Sequence, residues 1–430
     1  MKFFILDNGL VDRRAHNFHL AVAIIDSLNR RNIHFSIFVS RKADATVLDA
    51  TDAVPFFRHN LYESAGRPNI SQIPAALVHL LRNAPGPVPR DSPRSEIATW
   101  HKLNRSFRRD LSKLPPSLWD PQNIILIPGI CQNQLLGLIQ YLAAKPPSQR
   151  PSVVCQLMFG PEWTPWGEKA IHGDRFYRQA FEYATPLIGK SLFFTTETQG
   201  LSDLYKTQYG VTPTVLNVPL SVDSVEFARA LPPETVTLGY LGYSKTSRGF
   251  HLLPKTIELL RQRGHKARFL IQVQHSGWEP AIAKIVEKLR PMASVELVEG
   301  VLDQPTYYDF LRQCDAILLP YDAAHYGARG SGVTVEAVSS GRPIVTSSGT
   351  WAEGLVRNGE AEGEVFSEFE PAAFARAIES LLARIEPASR NAVALAPDFA
   401  KRFSSDTYID SILDIVGRPR VEHPSPAQCT

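Results

Sequence analysis

Two glycine-bearing segments in the second half of the chain have the residue types and spacing to hold a diphosphate and a ribose. The first, Gly242-Tyr243-Ser244-Lys245-Thr246-Ser247-Arg248-Gly249, follows the apolar run Val236–Leu241 and precedes a helical pattern starting at Gly249. A strand, a Gly-containing loop and a helix start make an anion site, because backbone N–H groups and the helix dipole face the loop. Lys245 and Arg248 add positive charge there, although the same pattern also describes an ordinary loop with solvated cations. No GxGxxG or GxxxxGK[ST] occurs, so neither a dinucleotide fingerprint nor a P-loop is implied. The second segment places Gly327-Ala328-Arg329-Gly330-Ser331-Gly332 between Leu318-Leu319-Pro320-Tyr321-Asp322 and a helix from Val333. Such a loop presents several N–H groups to a phosphate. Glu336 falls about one turn into that helix, where a carboxylate accepts hydrogen bonds from two ribose hydroxyls. A first-turn Glu favoured by the dipole is the plainer alternative. Gly341 caps the helix and Pro343 opens the next strand.

The first half offers weaker signals. Leu6-Asp7-Asn8-Gly9-Leu10 ends a strand, and Gly9 permits close backbone approach. His16 and His19 stand at i, i+3 on the following helix, too few ligands for zinc. Gln156-Leu157-Met158-Phe159-Gly160-Pro161-Glu162-Trp163 follows another strand, with Trp166 beyond it. Glu162 reads either as a polar group in an aromatic-lined site or as part of a packed loop, and Glu197 is a lesser alternative. The four cysteines, Cys131, Cys155, Cys314 and Cys429, form no CxxC and no metal-ligand spacing with histidine. Cys155 and Cys314, in or next to apolar stretches, read as buried small hydrophobes, and the absence of a disulfide pattern favours a reducing compartment.

Alternating β-rich runs and helical patterns must position these residues, which implies stacked βαβ units and parallel sheets. Strands are expected at Lys2–Leu6, Phe35–Val39, Ile124–Ile127, Val153–Leu157, Leu192–Thr195 and Thr214–Leu216. Helices are expected at His16–Arg31, Gln132–Ala144, Asp174–Ile188 and Gly200–Tyr209. Residues 82–119 interrupt the rhythm and read as an insertion or long loop. Within it Lys102, Arg105, Arg108, Arg109 and Lys113 are either a solvated helix face or a contact for an anionic acceptor or anionic lipid headgroups. The pattern lapses at 219–234 and restarts with strands at Val236–Leu241, Ala267–Ile271, Val295–Leu297, Ala316–Leu319 and Pro343–Thr346. The expected division is a domain over 1–218, a linker over 219–234, a second domain over 235–387, a helical segment over 388–417 that packs back on the first domain, and a disordered tail over 418–430.

The chain has 430 residues, a 44% hydrophobic and 21% charged composition, and a formal net charge of +3. The length exceeds one ordinary core, and the charge is too small for a dedicated nucleic-acid binder. The apolar N-terminal run is too short for a signal peptide and no window reaches membrane-span length, so a cytoplasmic protein is expected, attached at most to the inner membrane surface.

Over Val236–Leu382 the sequence resembles the C-terminal domain of GT-B glycosyltransferases of the family 4 type, also called glycosyl transferases group 1. The family carries Gly-Arg-Leu…Glu-Lys-Gly after the first strand of that domain, then Glu-Gly-Phe-Gly…Glu-Ala…Gly-Pro-Val-Val. The resemblance implies an α/β fold of two Rossmann-like domains facing an interdomain cleft. It also implies sugar transfer from a nucleotide diphosphate to a hydroxyl acceptor, with retention and without metal or cofactor. By position it gives Arg248 the family's phosphate-binding role and Glu336 its ribose-binding role, with Ser331 and Gly332 at the turn near the donor phosphates. Gly242, Lys245, Gly249, Arg329 and Val333 complete the expected donor set. The loop after Gly9 resembles the family's acceptor-lining loop, which places Gly9 and Trp163 on the acceptor side and Glu162 and His16 as catalytic candidates. The acceptor is expected to be a sugar, lipid-linked or small molecule. Three departures stand out: the family's loop Arg falls on Tyr243, leaving its charge to Lys245 or Arg329, the first Glu of the paired-Glu motif falls on Ala328, and the His that many members carry near Phe159 is absent. A non-catalytic GT-B binding protein and a sugar-nucleotide 2-epimerase share the architecture.

Overall fold

The computed structural model describes residues 1–13, 16–63, 93–165, 169–219, 235–274 and 280–421. The expected linker over 219–234 thus lies almost wholly outside the described residues, as do Trp166 and the stretch 83–89. The chain divides into two compact units, one formed by Met1–Leu216 with Ile409–Thr430, the other by Asn217–Tyr408.

The first unit is built on strands β1 (Phe3–Asp7), β2 (Phe35–Ser40), β3 (Val54–Phe57), β4 (Ile124–Ile130), β5 (Ser152–Leu157), β6 (Leu192–Thr196) and β7 (Thr214–Val215). They form one parallel sheet in the order β3-β2-β1-β4-β5-β6-β7. Parallel sheets are covered on both faces, so their strands carry unbroken apolar runs. Every residue of β1 and β4 is buried accordingly. Strand β3 and the helix Ala45–Thr51 before it escape the sequence pattern. Pro55 sits in β3, and proline is tolerated there because β3 is an edge strand.

Half of the expected insertion is core. Residues Pro93–Leu111 form a helix whose Trp100, Leu103, Phe107 and Leu111 are buried, packed against the helix Leu135–Ala143. Its other face carries Lys102, Arg105, Arg108 and Arg109, followed by Lys113, all exposed and in no ion pair among the described residues. The helix's one buried acid, Asp110, is taken by Arg58, whose Nε donates to it at 2.9 Å.

The second unit contains β8 (Thr237–Tyr240), β9 (Arg268–Val273), β10 (Val295–Glu299), β11 (Ala316–Leu319), β12 (Ile344–Ser347) and β13 (Gly363–Phe366). All are parallel, in the order β10-β9-β8-β11-β12-β13. Strand β13 also escapes the sequence pattern. Its Gly363 lies so close to β12 that a Cβ would meet the Ile344 carbonyl at 2.0 Å. The helices Leu253–Gln262 and Pro371–Ala383 cover one face through Leu253, Ile257, Leu260, Phe374, Ile378 and Leu381. In each sheet the strand order reverses once, between β1 and β4 and between β8 and β11. At such a switch point the chain leaves neighbouring strands in opposite directions, which opens a crevice at their carboxyl ends.

The segment 388–417 does not behave as one piece. The helix Ile385–Arg402 stays in the second unit, packed on the helix Gly332–Ser339, and Gly341 approaches it so closely that a Cβ would meet Val393 at 3.1 Å. Only from Ile409 does the chain rejoin the first unit, where Arg31 donates to Asp410 at 2.5 Å and to the Val421 carbonyl at 3.0 Å. Arg418 donates to the Pro121 carbonyl at 3.0 Å, so the described part of the expected disordered tail is bonded.

Candidate functional site

At the switch point of the first unit, loops after β1, β3, β4 and β5 are knitted to one another. Asn133 Nδ2 donates to the carbonyls of Leu61 and Glu63 at 3.0 and 2.9 Å, and Gln132 Nε2 donates to that of Trp163 at 3.0 Å. Gly9 lies close against the helix that follows. A Cβ there would meet Asn17 Nδ2 at 2.7 Å, and its N–H is bound to Asp7 Oδ1 at 2.8 Å. Its smallness serves the packing of this turn. Burial pushes the Asp7 carboxyl up to about 6 against the donors Gly9, Asn17 and Leu10. Glu162 is exposed and Trp163 half-buried, and the space a Gly160 side chain would fill lies 3.3 Å from Glu162 Oε2. His16 opens the helix His16–Arg30, but its side chain lies outside the described residues. His19, half-buried edge-on to Phe18, titrates below the ordinary histidine range because of its burial.

The second unit concentrates its chemistry. The loop after β8 does not lead straight into a helix: two 3-10 turns, Thr246–Arg248 and Phe250–Leu252, precede the helix Leu253–Gln262. The expected helix N-terminus at Gly249 is therefore absent. Gly249 has φ +69°, its N–H is bound to the Thr246 carbonyl, and a Cβ would meet the Pro320 carbonyl at 2.0 Å. Its role is to let this loop lie against the one after β11, and the Asp322 N–H bond to the Ser247 carbonyl at 2.9 Å ties the two together. The Gly242 N–H is likewise taken, by Gln272 Oε1 of β9 at 2.8 Å.

Arg248 is brought to the switch point by this pairing. Its Nε donates to Tyr326 Oη at 2.9 Å, and its guanidinium lies 5.6 and 5.8 Å from the ring centroids of Tyr321 and Tyr326. Gly242 has φ +89°, which favours glycine, and a Cβ there would stand 2.3 Å from Arg248 Nη1 and 3.4 Å from Val333 Cγ2. The Arg248 guanidinium therefore stands beside the start of the helix Gly332–Ser339. Ser331 caps that helix, its Oγ accepting from the Thr334 N–H at 3.3 Å. The next two amides, of Gly332 and Val333, have no acceptor among the described residues, as the first turn of a helix requires. Gly332 is exposed, with nothing within 4 Å of the position a Cβ would take.

Glu336 stands one turn further along, half-buried, its Oε2 accepting from Tyr307 Oη at 2.5 Å. Burial pushes its carboxyl up to about 7, against the Tyr307 hydrogen bond and the Arg248 charge that pull it down. Tyr326 packs against Tyr321 with ring centroids 4.5 Å apart, and the Arg329 guanidinium lies 5.6 Å from the Tyr326 ring centroid. Burial pushes the Tyr326 phenol up, but Arg248, Arg329 and Lys245 outweigh it, so it titrates below its ordinary range. Arg248, Lys245, Arg329, two open amides and Glu336 thus meet around one crevice at the carboxyl ends of β8 and β11.

Residues 233–384 match the family model of glycosyl transferases group 1. Over those residues the chain resembles group 1 glycosyl transferases, and its fold is GT-B. HepE of Anabaena, solved with UDP, is similar at a TM-score of 0.63 and 15% identity, covering 97% of this chain and 100% of that one. The catalytic domain of starch synthase IV from Arabidopsis thaliana, solved with ADP and acarbose, gives 0.60 and 12%, covering 97% and 100%. Sucrose-phosphate synthase from Thermosynechococcus elongatus gives 0.58 and 12%, covering 97% and 98%. Among curated protein sequences none matches.

Within the second unit, Gly242, Lys245, Arg248, Arg329, Ser331, Gly332, Val333 and Glu336 gather at the switch point, while Gly249 serves loop packing behind it. Tyr307, Tyr321, Tyr326 and Gln272 belong to the same site and were missed by sequence reasoning. Each reads as an aromatic or polar residue next to an apolar run, and only Tyr321, directly after Pro320, stands at a strand end where a site residue is expected. Ala328 brings no acid to the loop. Among the described residues no three His, Cys, Asp or Glu side chains gather as a metal site, and no helix is long and apolar enough to cross a membrane.

Proposed function

We propose that the protein transfers a sugar from a nucleotide diphosphate donor to a hydroxyl acceptor, with retention at the anomeric carbon and without a metal. The convergence of Arg248 and the open Gly332 and Val333 amides with Glu336, at the switch point of a group 1 domain, carries this reading. In it the diphosphate lies against Arg248, Lys245, Arg329 and the two amides, and the ribose hydroxyls donate to Glu336. As the glycosidic bond to the donor phosphate lengthens, negative charge grows on the departing diphosphate. Fixed cations and amides aimed at that charge stabilise the transition state without reorganising. The UDP and ADP held by two structural neighbours support a nucleotide as ligand.

On the acceptor side we assign Glu162, His16 and Trp163 of the first unit to a sugar, lipid-linked or small-molecule acceptor. The exposed row Lys102, Arg105, Arg108 and Arg109 supports a peripheral contact with an anionic membrane surface, each cation near such a surface contributing about 1 kcal/mol. Ala328, at the motif position of an acid, favours a second reading, a binding protein without turnover. Incubation with UDP-, GDP-, ADP- and dTDP-hexoses and candidate acceptors, with nucleoside diphosphate release as the signal, tests the choice. Release that survives EDTA and gives a product of retained configuration supports transfer. Nucleotide binding without release from any pair supports the second reading.

A further inference from the structure

We infer that Tyr307 is a positioning residue for the donor: its phenol aims the Glu336 carboxylate at the ribose hydroxyls and stabilises the charged form that accepts them. The inference rests on the donor-site reading of Glu336 and adds to it a residue from outside both site loops. Tyr307 lies on the helix Gln304–Gln313, which connects β10 to β11 and is capped by Asp303, whose side chain accepts from the Thr306 N–H. Its Oη reaches across to the helix Gly332–Ser339 and donates to Glu336 Oε2 at 2.5 Å. The ring is half-buried among the residues of that core, edge-on to Tyr308 at 6.0 Å, so the phenol is a fixed donor. With one lone pair of Oε2 occupied, the rest of the carboxylate faces the hydroxyls in a set orientation.

The surroundings make the ionisation of this acid matter. Arg248, from the loop after β8, favours the carboxylate, whereas burial disfavours it. Tyr321, past β11, faces it as a third group, bound to Ser331 Oγ at 3.2 Å. The helix Ile385–Arg402, packed on the same helix, buries Ala388, Ser389, Ala392, Ala396 and Phe399 there, none of them titratable. Strands β11 and β12, also packed on it, carry no ionisable side chain. A carboxylate accepts from both ribose hydroxyls, whereas a protonated carboxyl has spent one oxygen on its own proton. Donor affinity should therefore rise with pH through the titration of Glu336, and removing the phenol should move that rise to higher pH.

The test is calorimetric binding of UDP-, GDP- and ADP-glucose to the full chain from pH 5.5 to 9. The diphosphate of a sugar nucleotide is esterified at both ends and does not itself titrate in this range. For the tightest of the three, wild-type affinity is expected to rise about tenfold with a midpoint near 7, where Glu336 titrates. In Tyr307→Phe, loss of a hydrogen bond to a charged acceptor moves the midpoint up by about one pH unit, with affinity recovered near pH 9. Glu336→Gln binds weakly and with a flat profile. A Tyr307→Phe profile lowered equally at every pH, or superimposable on wild type, overturns the inference. So does a flat wild-type profile, which leaves the donor site standing. If none of the three binds at any pH, the donor-site reading fails and this inference falls with it.

Discussion

Among the described residues Arg248 is a cation in no ion pair, which separates its effect on binding from its effect on stability. Among the described residues its guanidinium donates to a neutral phenol, that of Tyr326, with two aromatic rings nearby. Burial works against its charge, and the Tyr326, Tyr321 and Tyr240 phenols offset that cost. Replacing Arg248 with Met keeps the stem and deletes the charge. Tyr326 Oη loses a donor, which costs about 1–3 kcal/mol, while the unpaired guanidinium no longer has to be desolvated, a relief of similar size. The free protein is therefore expected to unfold within about 1 kcal/mol of wild type. Donor binding should respond quite differently. Truncating one side of a buried charge pair costs about 2–5 kcal/mol, and 2.8 kcal/mol is about a hundredfold in affinity. At a ligand concentration of about 100 Kd the native state gains about 2.7 kcal/mol, and a hundredfold weaker variant gains about 0.4 kcal/mol. For a unit of this size that is a thermal shift of about 5–10 °C reduced to about 1 °C. The assay is a melting curve of wild type and Arg248→Met with and without a sugar nucleotide. A variant that melts far below wild type when free, yet keeps the full ligand-induced shift, would refute the reasoning and make Arg248 a structural residue.

Other outcomes follow from the same geometry. Gly249→Ala has to escape both φ +69° and a carbonyl 2.0 Å away, so it should cost about 2–4 kcal/mol by denaturant unfolding. Gly332→Ala meets open space in a helix and should be stable to within about 1 kcal/mol in the same experiment. Glu336 keeps its proton in the folded state up to about 7, well above its value in the unfolded chain, so the folded state binds more protons between pH 4.5 and 7 and loses stability as pH rises. Glu336→Gln should then unfold at higher urea than wild type at pH 8, with the gap closing towards pH 4.5. Lys102, Arg105 and Arg109 changed together to Gln should abolish sedimentation with vesicles rich in phosphatidylserine at low salt. Wild type should sediment with them, release at 0.5 M salt, and ignore neutral vesicles.

Much of the candidate site was legible because its signals are local. A helix start after a glycine-rich loop and a Glu one turn in are set by sequence neighbours, and Arg248 and Glu336 were found that way. The glycines were legible as special positions, yet their reasons were not. Gly9 and Gly249 look like invitations to a ligand, but what fills the space beside them, Asn17 and Pro320, comes from tertiary packing. Gly249 was also read as a helix start, although Pro254 marks the true first turn and the intervening residues form tighter turns. Tyr307 was invisible because a tyrosine on an amphipathic helix reads as core, and its partner lies 29 residues away. The edge strand β3 was hidden by its proline, and the helix Pro93–Leu111 by the run of prolines before it, although Trp100, Leu103, Phe107 and Leu111 had helical spacing throughout.

The second unit is spliced into the first: the chain leaves at Leu216 and comes home only at Ile409. A ribosome making this protein therefore finishes the whole second unit while the other still lacks the segment that supplies Asp410 to Arg31. Until those closing residues emerge, the bonds of Arg31 to Asp410 and to the Val421 carbonyl cannot form. The order of synthesis thus makes the inner unit the earlier to be complete, and an excised 217–408 fragment the natural piece to express alone.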